Sequence, residues 1–333
     1  MQDKTFRAMV VEETPDGQFV RKITEKSFDE LPAGEVLIKV MYSSLNYKDA
    51  LSASGNKGVT KKYPHTPGID SSGVVEESLS DDFKIGEEVI VTSYDHGMNK
   101  SGGFGEYIRV PANWIVKLPA NLSLKESMIY GTAGFTAGLS VHKLSHTIKP
   151  DHGEILVTGA SGGVGSVSVS ILVQSGYKVV AVSGKTEERQ FLMDLGVMDI
   201  ISRQEAADTS GRPLLPGRWA GVIDTVGGDI LATAIKSSKY GATVTCCGNV
   251  ASPDLPLNVF PFIIRSVSLL GVDSQHCPMK TRQKIWQKLA DEWKLAHLSE
   301  LSSEISLDDL DENITLMLQG KKKGRTVVNL NRE

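Results

Sequence analysis

Apolar and polar positions over residues 1–128 fall into short runs cut by glycine and proline. Residues 35–42 (EVLIKVMY), 73–76 and 87–92 (EEVIVT) have strand length and carry β-branched side chains, which predicts a compact, partly barrel-like β domain. After Pro119 the pattern changes. An apolar strand at 154–158 (EILVT) enters a glycine-rich turn, a helical stretch follows over 164–174, and a second apolar strand occupies 178–182 (KVVAV). These pieces make a βαβ unit, and strands without polar alternation suit a parallel sheet covered on both faces. The alternation continues through 221–224, 242–246 and 268–271. Residues 280–298 read as a helix with Trp286, Leu289, Trp293 and Leu295 on its apolar face, and 326–330 (TVVNL) as a closing strand.

A chain of 333 residues exceeds what one hydrophobic core serves, so two domains are expected. Hydrophobic residues at 40% and charged residues at 23% describe a water-soluble globular protein. The formal net charge of -4 and the absence of a one-signed block larger than Lys321, Lys322 and Lys323 predict neither a nucleic-acid nor a membrane partner. Asp3, Lys4 and Arg7 make the start too charged for a signal peptide, so the expected location is cytoplasmic. The cysteines, Cys246, Cys247 and Cys277, build neither a disulfide framework nor a four-cysteine zinc lobe. The adjacent pair reads as small core residues at a strand end, with a redox device as the alternative.

The glycine turn carries the first chemistry. Gly159, Ala160, Ser161, Gly162, Gly163, Val164 and Gly165 lie directly after a strand and before a helix, where a dinucleotide fingerprint belongs. Glycines there allow close approach to a pyrophosphate, and the helix start favours the anion. At the end of the second strand NAD proteins commonly place an acid for the ribose hydroxyl; here the chain reads Ser183, Gly184, Lys185, a hydroxyl and a cation that suit a 2′-phosphate. The expected coenzyme is NADPH. Arg203 is either a second cation for it or a solvated surface arginine.

Two further segments follow strands in the first half: Ser43 to Asp49, containing Asn46, Tyr47 and Lys48, and Pro67, Gly68, Ile69, Asp70. Taken in order, SSLNYKDA, PGID, GTAGFTA, TGASGGVG, IDTVGG, FPFIIR and GVDS resemble the medium-chain dehydrogenase/reductase superfamily, and within it the group of quinone oxidoreductase-like and acrylyl-CoA reductase-like proteins. The resemblance spans nearly the whole chain. It implies an α/β protein with a GroES-like β-rich catalytic domain, residues 1–128 and 280–333, and a Rossmann doubly wound parallel sheet that binds NADPH, residues 129–279. It also implies a cleft between the two and a homodimer formed through the Rossmann sheets. Zinc-dependent members place a cysteine where this chain has Asn46 and Gly-His-Glu where it has Gly68, Ile69, Asp70, so no metal is expected. His65 reads as an ordinary loop histidine. Further coenzyme contacts carry over onto Thr136, Asn249, Ile263 and Ser274, and Tyr47 in relatives also touches the nicotinamide.

Without a Lewis acid, hydrogen bonds must stabilise developing charge, which suits reduction of a carbon–carbon double bond conjugated to a carbonyl. Hydride enters at the β carbon and a proton at the α carbon. Tyr47 and Asn46 are the donor candidates for the enolate oxygen, and Asp49 and Asp70 orient them. The plain alternatives are a buried aromatic for Tyr47, a helix cap for Asp49 and a turn residue for Asp70. Residues 321–325 (KKKGR) either meet the phosphates of a CoA thioester or form a solvated basic turn. The expected activity is reduction of a short enoyl-CoA, acrylyl-CoA to propionyl-CoA. The alternatives are a quinone or enal reductase and, from another class, a sensor that binds NADPH without turnover.

Overall fold

The computed structural model describes residues 5–184 and 186–331. By Cα proximity the chain divides into two compact units: 1–132 with 275–290 and 297–333, and 133–274 with 291–296.

In the first unit β1 (Thr5–Glu13) and β2 (Phe19–Ser27) form an antiparallel hairpin. Thr14, Pro15, Asp16 and Gly17 build its turn. Proline presets one turn dihedral, Gly17 takes φ 78°, and Gly17 N donates to Thr14 O at 2.8 Å. The main sheet holds β3 (Val36–Leu45), β4 (Asp70–Ser78), β5 (Glu88–Thr92), β6 (Tyr107–Val110) and β7 (Ile115–Lys117), with helix α1 (Tyr47–Ala53) leaving the end of β3 and α2 (Leu124–Ser145) following β7. Ile38, Val40, Leu45, Val75, Val89 and Val91 point inward from these strands and, with Phe104 from the segment before β6, form a core sealed from solvent. Helix α2 is interrupted at Gly131, whose φ of 50° and ψ of -157° no helix accommodates.

The second unit is the parallel sheet anticipated from the βαβ pattern. Its strands are β8 (Glu154–Val157), β9 (Lys178–Val182), β10 (Asp199–Ile201), β11 (Trp219–Asp224), β12 (Ser238–Cys246) and β13 (Ser268–Gly271), in the spatial order β10-β9-β8-β11-β12-β13. That is the dinucleotide-fold order, and its switch point lies at β8. Helices α3 (Gly163–Gln174), α4 (Arg189–Asp194), α5 (Gly228–Lys236) and α6 (Phe260–Arg265) connect or flank the strands. Val180, Val222, Val244, Leu231 and Ile235 are buried between sheet and helices, which is why the strands read as unbroken apolar runs. The connection from β10 to β11, residues 202–218, carries no helix and lies over a cavity of about 560 Å³ lined by Leu156, Ile201, Ala206, Asp208 and Trp219. Arg265 fastens it: Nη2 donates to Leu215 O at 2.5 Å, and Nη1 to Lys236 O at 2.9 Å and Ser238 O at 2.8 Å.

The chain then supplies α7 (Met279–Ala290), β14 (Ser302–Ser306), α8 (Leu310–Leu318) and β15 (Arg325–Asn329) to the first unit, extending its sheet as β14-β15-β3. The helix expected over 280–298 stops at Ala290. Trp293 and Leu295 are nonetheless buried, in a stretch that belongs to the second unit, where Gln174 Nε2 donates to Glu292 O at 3.3 Å and Lys294 O at 3.2 Å. An apolar spacing that continued the helix was two packing sites in a row.

Candidate active site and coenzyme site

Asp70 stands at the first position of β4, not in a turn, with no solvent exposure. Such a carboxylate must be fully hydrogen-bonded. It accepts from Ser44 Oγ at 2.6 Å, Asn46 Nδ2 at 2.8 Å, Thr132 Oγ1 at 2.6 Å and Thr132 N at 2.9 Å. Arg325, the first residue of β15, brings Nη2 to 3.9 Å from it. That arginine is 3% exposed, so the solvated reading of 321–325 fails at its last position. It donates from Nε to Ile129 O at 2.8 Å, from Nη1 to Asn46 Oδ1 at 3.0 Å and from Nη2 to Ser44 Oγ at 3.0 Å. Burial lowers its pKa, and the neighbouring Asp70 and Asp49 work against that.

Asn46 is the N-cap of α1 and Asp49 its third residue. Asp49 accepts from Asn46 N at 2.8 Å, Asn46 Nδ2 at 3.1 Å and Ile69 N at 2.8 Å, the return arm of a capping box bent into the sheet. Burial and then the nearby Asp70 push its pKa up to about 7, against those three donors. The Asn46 amide is locked at both ends, its oxygen facing a guanidinium and its nitrogen two carboxylates, which fixes its orientation. With Nδ2 directed at Asp70, Asp49 and, at 3.3 Å, Ser44 O, that amide orients the cluster instead of presenting a free donor, which corrects the direct-donor reading of Asn46. Gly131 is part of the same construction. A Cβ there would overlap Asp70 Oδ2, Ser44 Oγ and Arg325 Nη2, so the bend in α2 is what lets the cluster close.

Tyr47, the first residue of α1, is 44% exposed, which removes the buried-aromatic alternative. Its neighbour Lys48 donates from Nζ to Gln275 Oε1 at 3.1 Å. His65 is not a loop histidine in the loose sense. Its backbone pairs with Val11 in both directions, and its buried ring bonds Gly97 O through Nε2 at 3.0 Å, with burial holding its pKa down. Among the described residues no three His, Cys, Asp or Glu side chains gather as a metal-holding group.

In the second unit the glycine turn has the anticipated form. Gly159 takes φ 58°, Gly162 N donates to Gly159 O at 3.0 Å, and a Cβ on Gly165 would overlap Gly159 O. Gly162 caps α3, so the amides of Gly163, Val164 and Gly165 form its first turn and Ser161 lies beside them; Ser161, Gly163 and Val164 are partly exposed and Gly165 is buried. Thr158 Oγ1 donates to the buried Asp224 at 2.7 Å and Gly227 N to the same carboxylate at 2.9 Å, tying the ends of β8 and β11 together. A cradle that any side chain would fill, at a helix start beside the switch point, fits a pyrophosphate.

Ser183 and the exposed Gly184 follow β9, and the Arg203 side chain lies on Gly184, where a Cβ would sit 2.6 Å from Nε and 2.8 Å from Cζ. Sequence spacing did not reveal that contact. Lys185 lies outside the described residues. Thr136 is buried in the second half of α2, Asn249 is exposed after β12, Ser274 is half-buried, and Ile263 on α6 is 71% exposed. Cys246 and Cys247 are half-buried. Cys247 Sγ sits 3.4 Å from Asp224 O, and burial pushes its thiol up to about 12, the state of a packing residue and not of a reactive thiolate.

Two family patterns match along the chain: the alcohol dehydrogenase GroES-like domain at residues 32–120 and the zinc-binding dehydrogenase family at 163–292. Acrylyl-CoA reductase AcuI of Ruegeria pomeroyi is 40% identical over 98% of this chain and 99% of its own. The chain belongs to the medium-chain dehydrogenase/reductase superfamily. YhfP of Bacillus subtilis, which carries the name of a quinone oxidoreductase, is 42% identical over 98% of this chain and 99% of its own. Among solved structures, the YhdH oxidoreductase of Salmonella enterica in complex with NADP superposes with a TM-score of 0.95 at 41% identity, covering 98% of this chain and 100% of that one. The YhfP structure with NAD bound gives the same TM-score, identity and coverage. The GroES-like pattern falls within the first unit, and the parallel sheet of the second has the Rossmann-like form of this superfamily.

Proposed function

We propose that this protein is an NADPH-dependent reductase of a carbon–carbon double bond conjugated to a thioester carbonyl, with a short enoyl-CoA such as acrylyl-CoA as acceptor. The observation that carries the reading is Tyr47, a solvent-reaching phenol on the first turn of a helix whose start is anchored by a buried acid–amide–arginine cluster. The likeness to an acrylyl-CoA reductase over almost the full length supports the acceptor class.

The coenzyme supplies a hydride when bound. The glycine turn and the α3 amides hold its pyrophosphate, and Ser183, Gly184, Lys185 and Arg203 receive the adenosine ribose with its 2′-phosphate. Thr136, Asn249, Ile263 and Ser274 make further contacts. Tyr47 donates its hydroxyl hydrogen bond to the carbonyl oxygen as enolate charge develops, or passes the proton to the α carbon. Asn46, Asp49 and Asp70 act through Tyr47 by fixing the start of α1. NADPH oxidation with acrylyl-CoA, crotonyl-CoA and a quinone panel tests this. Higher kcat/KM with thioesters is the expected result, and faster turnover of quinones selects the quinone reductase reading.

We also infer a homodimer. Among the described residues β13 ends the strand order with β12 as its one neighbour, and Val259, Phe260 and Ile264, in and just before α6, are exposed apolar side chains that solvent alone does not favour. Sedimentation at micromolar concentration should give twice the 36.0 kDa chain mass. No helix among the described residues is long and apolar enough to cross a membrane.

A further inference from the structure

The turn after β9 has no acid within its own residues, yet the fold returns one to it. Glu188 ends the single helical turn Thr186–Glu188 that precedes α4, and it is 4% exposed. Its Oε2 accepts from Ser183 Oγ at 3.5 Å. On the neighbouring residue the Arg203 side chain covers Gly184. The hydroxyl at the end of β9 therefore has a carboxylate bonded to it and a guanidinium one residue away, where a seat built only for phosphate would show donors and cations alone.

Those two charges prefer different ligands. A ribose 2′-hydroxyl needs an acceptor, which a carboxylate provides. A 2′-phosphate needs donors and positive charge, which Ser183 and Arg203 provide, and it is repelled by a carboxylate at hydrogen-bonding range. Relatives with equal likeness to this chain were crystallised, one with NADP and the other with NAD.

We propose that Glu188 sets coenzyme selectivity in this chain: its carboxylate accepts from the adenosine ribose of NADH and competes with the 2′-phosphate of NADPH for Ser183. This rests on the coenzyme site assigned above. The preference for NADPH is then narrower than the cations alone would give, and NADH binds measurably.

The test is equilibrium titration of the whole protein with NADPH and with NADH, followed by coenzyme fluorescence and with no acceptor present. Glu188→Gln should tighten NADPH and weaken NADH, moving the ratio of the two Kd values by about tenfold, the size expected for one partly screened charge. Arg203→Ala should move the ratio in the opposite direction. Glu188→Asp, which keeps the charge but withdraws it from Ser183, should fall between wild type and Glu188→Gln and serves if the glutamine variant does not fold. A ratio unchanged within twofold in variants that melt like wild type overturns the assignment of Glu188 while leaving the coenzyme site intact. Failure of wild type to bind either coenzyme overturns both.

Discussion

The two sites are built on opposite principles. Around Asp70 every polar atom has a protein partner and little or no water reaches it, so the cluster is complete before any ligand arrives. At the glycine turn the backbone is shaped but partly exposed, and Gly163 and Val164 offer amides in place of side chains. The first kind of site tolerates no loss of a partner, because a buried group left unsatisfied bears its whole desolvation cost. The second tolerates chemical change but no added bulk. Stability should therefore report on the first and coenzyme affinity on the second.

The hardest test of that contrast is Arg325→Met. It leaves Asp70 buried without its cation and should cost about 3–5 kcal/mol in denaturant melts, whereas the charge-balanced Asp70→Asn/Arg325→Met double variant should recover much of that loss. Little recovery would mean that the cluster is held by packing and not by charge. Tyr47→Phe comes next. It should lower kcat about 10²-fold or more with the melting temperature nearly unchanged, since the hydroxyl belongs to an exposed side chain. Gly165→Ala should weaken NADPH binding at least about tenfold through its overlap with Gly159 O; equal affinity for wild type and variant would break the assignment of the turn.

A smaller effect belongs to pH. The folded-state pKa of Asp49, near 7, lies above its unfolded value near 3.8. Its contribution to stability is therefore complete below about pH 4 and declines as pH rises towards 7. Wild type should lose stability relative to Asp49→Asn across that window, and the difference should level off above it; a difference constant with pH would show that the carboxyl titrates normally. Least of all, Lys321→Ser with Lys323→Ser should change stability by under about 0.5 kcal/mol and leave KM for a CoA thioester within twofold.

The same contrast explains what the sequence could tell. The glycine turn is local: seven residues between one strand and one helix, readable from spacing. The parallel sheet was equally legible, since burial on both faces leaves unbroken apolar strands. The acid cluster is non-local. Asn46, Asp70, Thr132 and Arg325 meet only because β15 lies beside β3 and α2 bends at Gly131. Asn46, Asp49 and Asp70 were found through family resemblance, and Arg325 was read as part of a basic turn because nothing in KKKGR marks its last residue as buried. Its one signal was the apolar strand that follows at once, which makes the residue entering it a candidate for an inward position. Glu188 escaped for a related reason: an acid sought at the end of β9 came from the helical turn Thr186–Glu188 beyond it.

The unhelical connection over residues 202–218 has its own meaning. Held by Arg265, by the Lys236–Asp208 ion pair and by hydrogen bonds from Asp208 N and Leu215 N, and not by a helix face, it leaves residues 209–213 exposed, where the chain can change length without repacking the strands beneath. It is the natural place in this scaffold to graft an epitope or a reporter peptide.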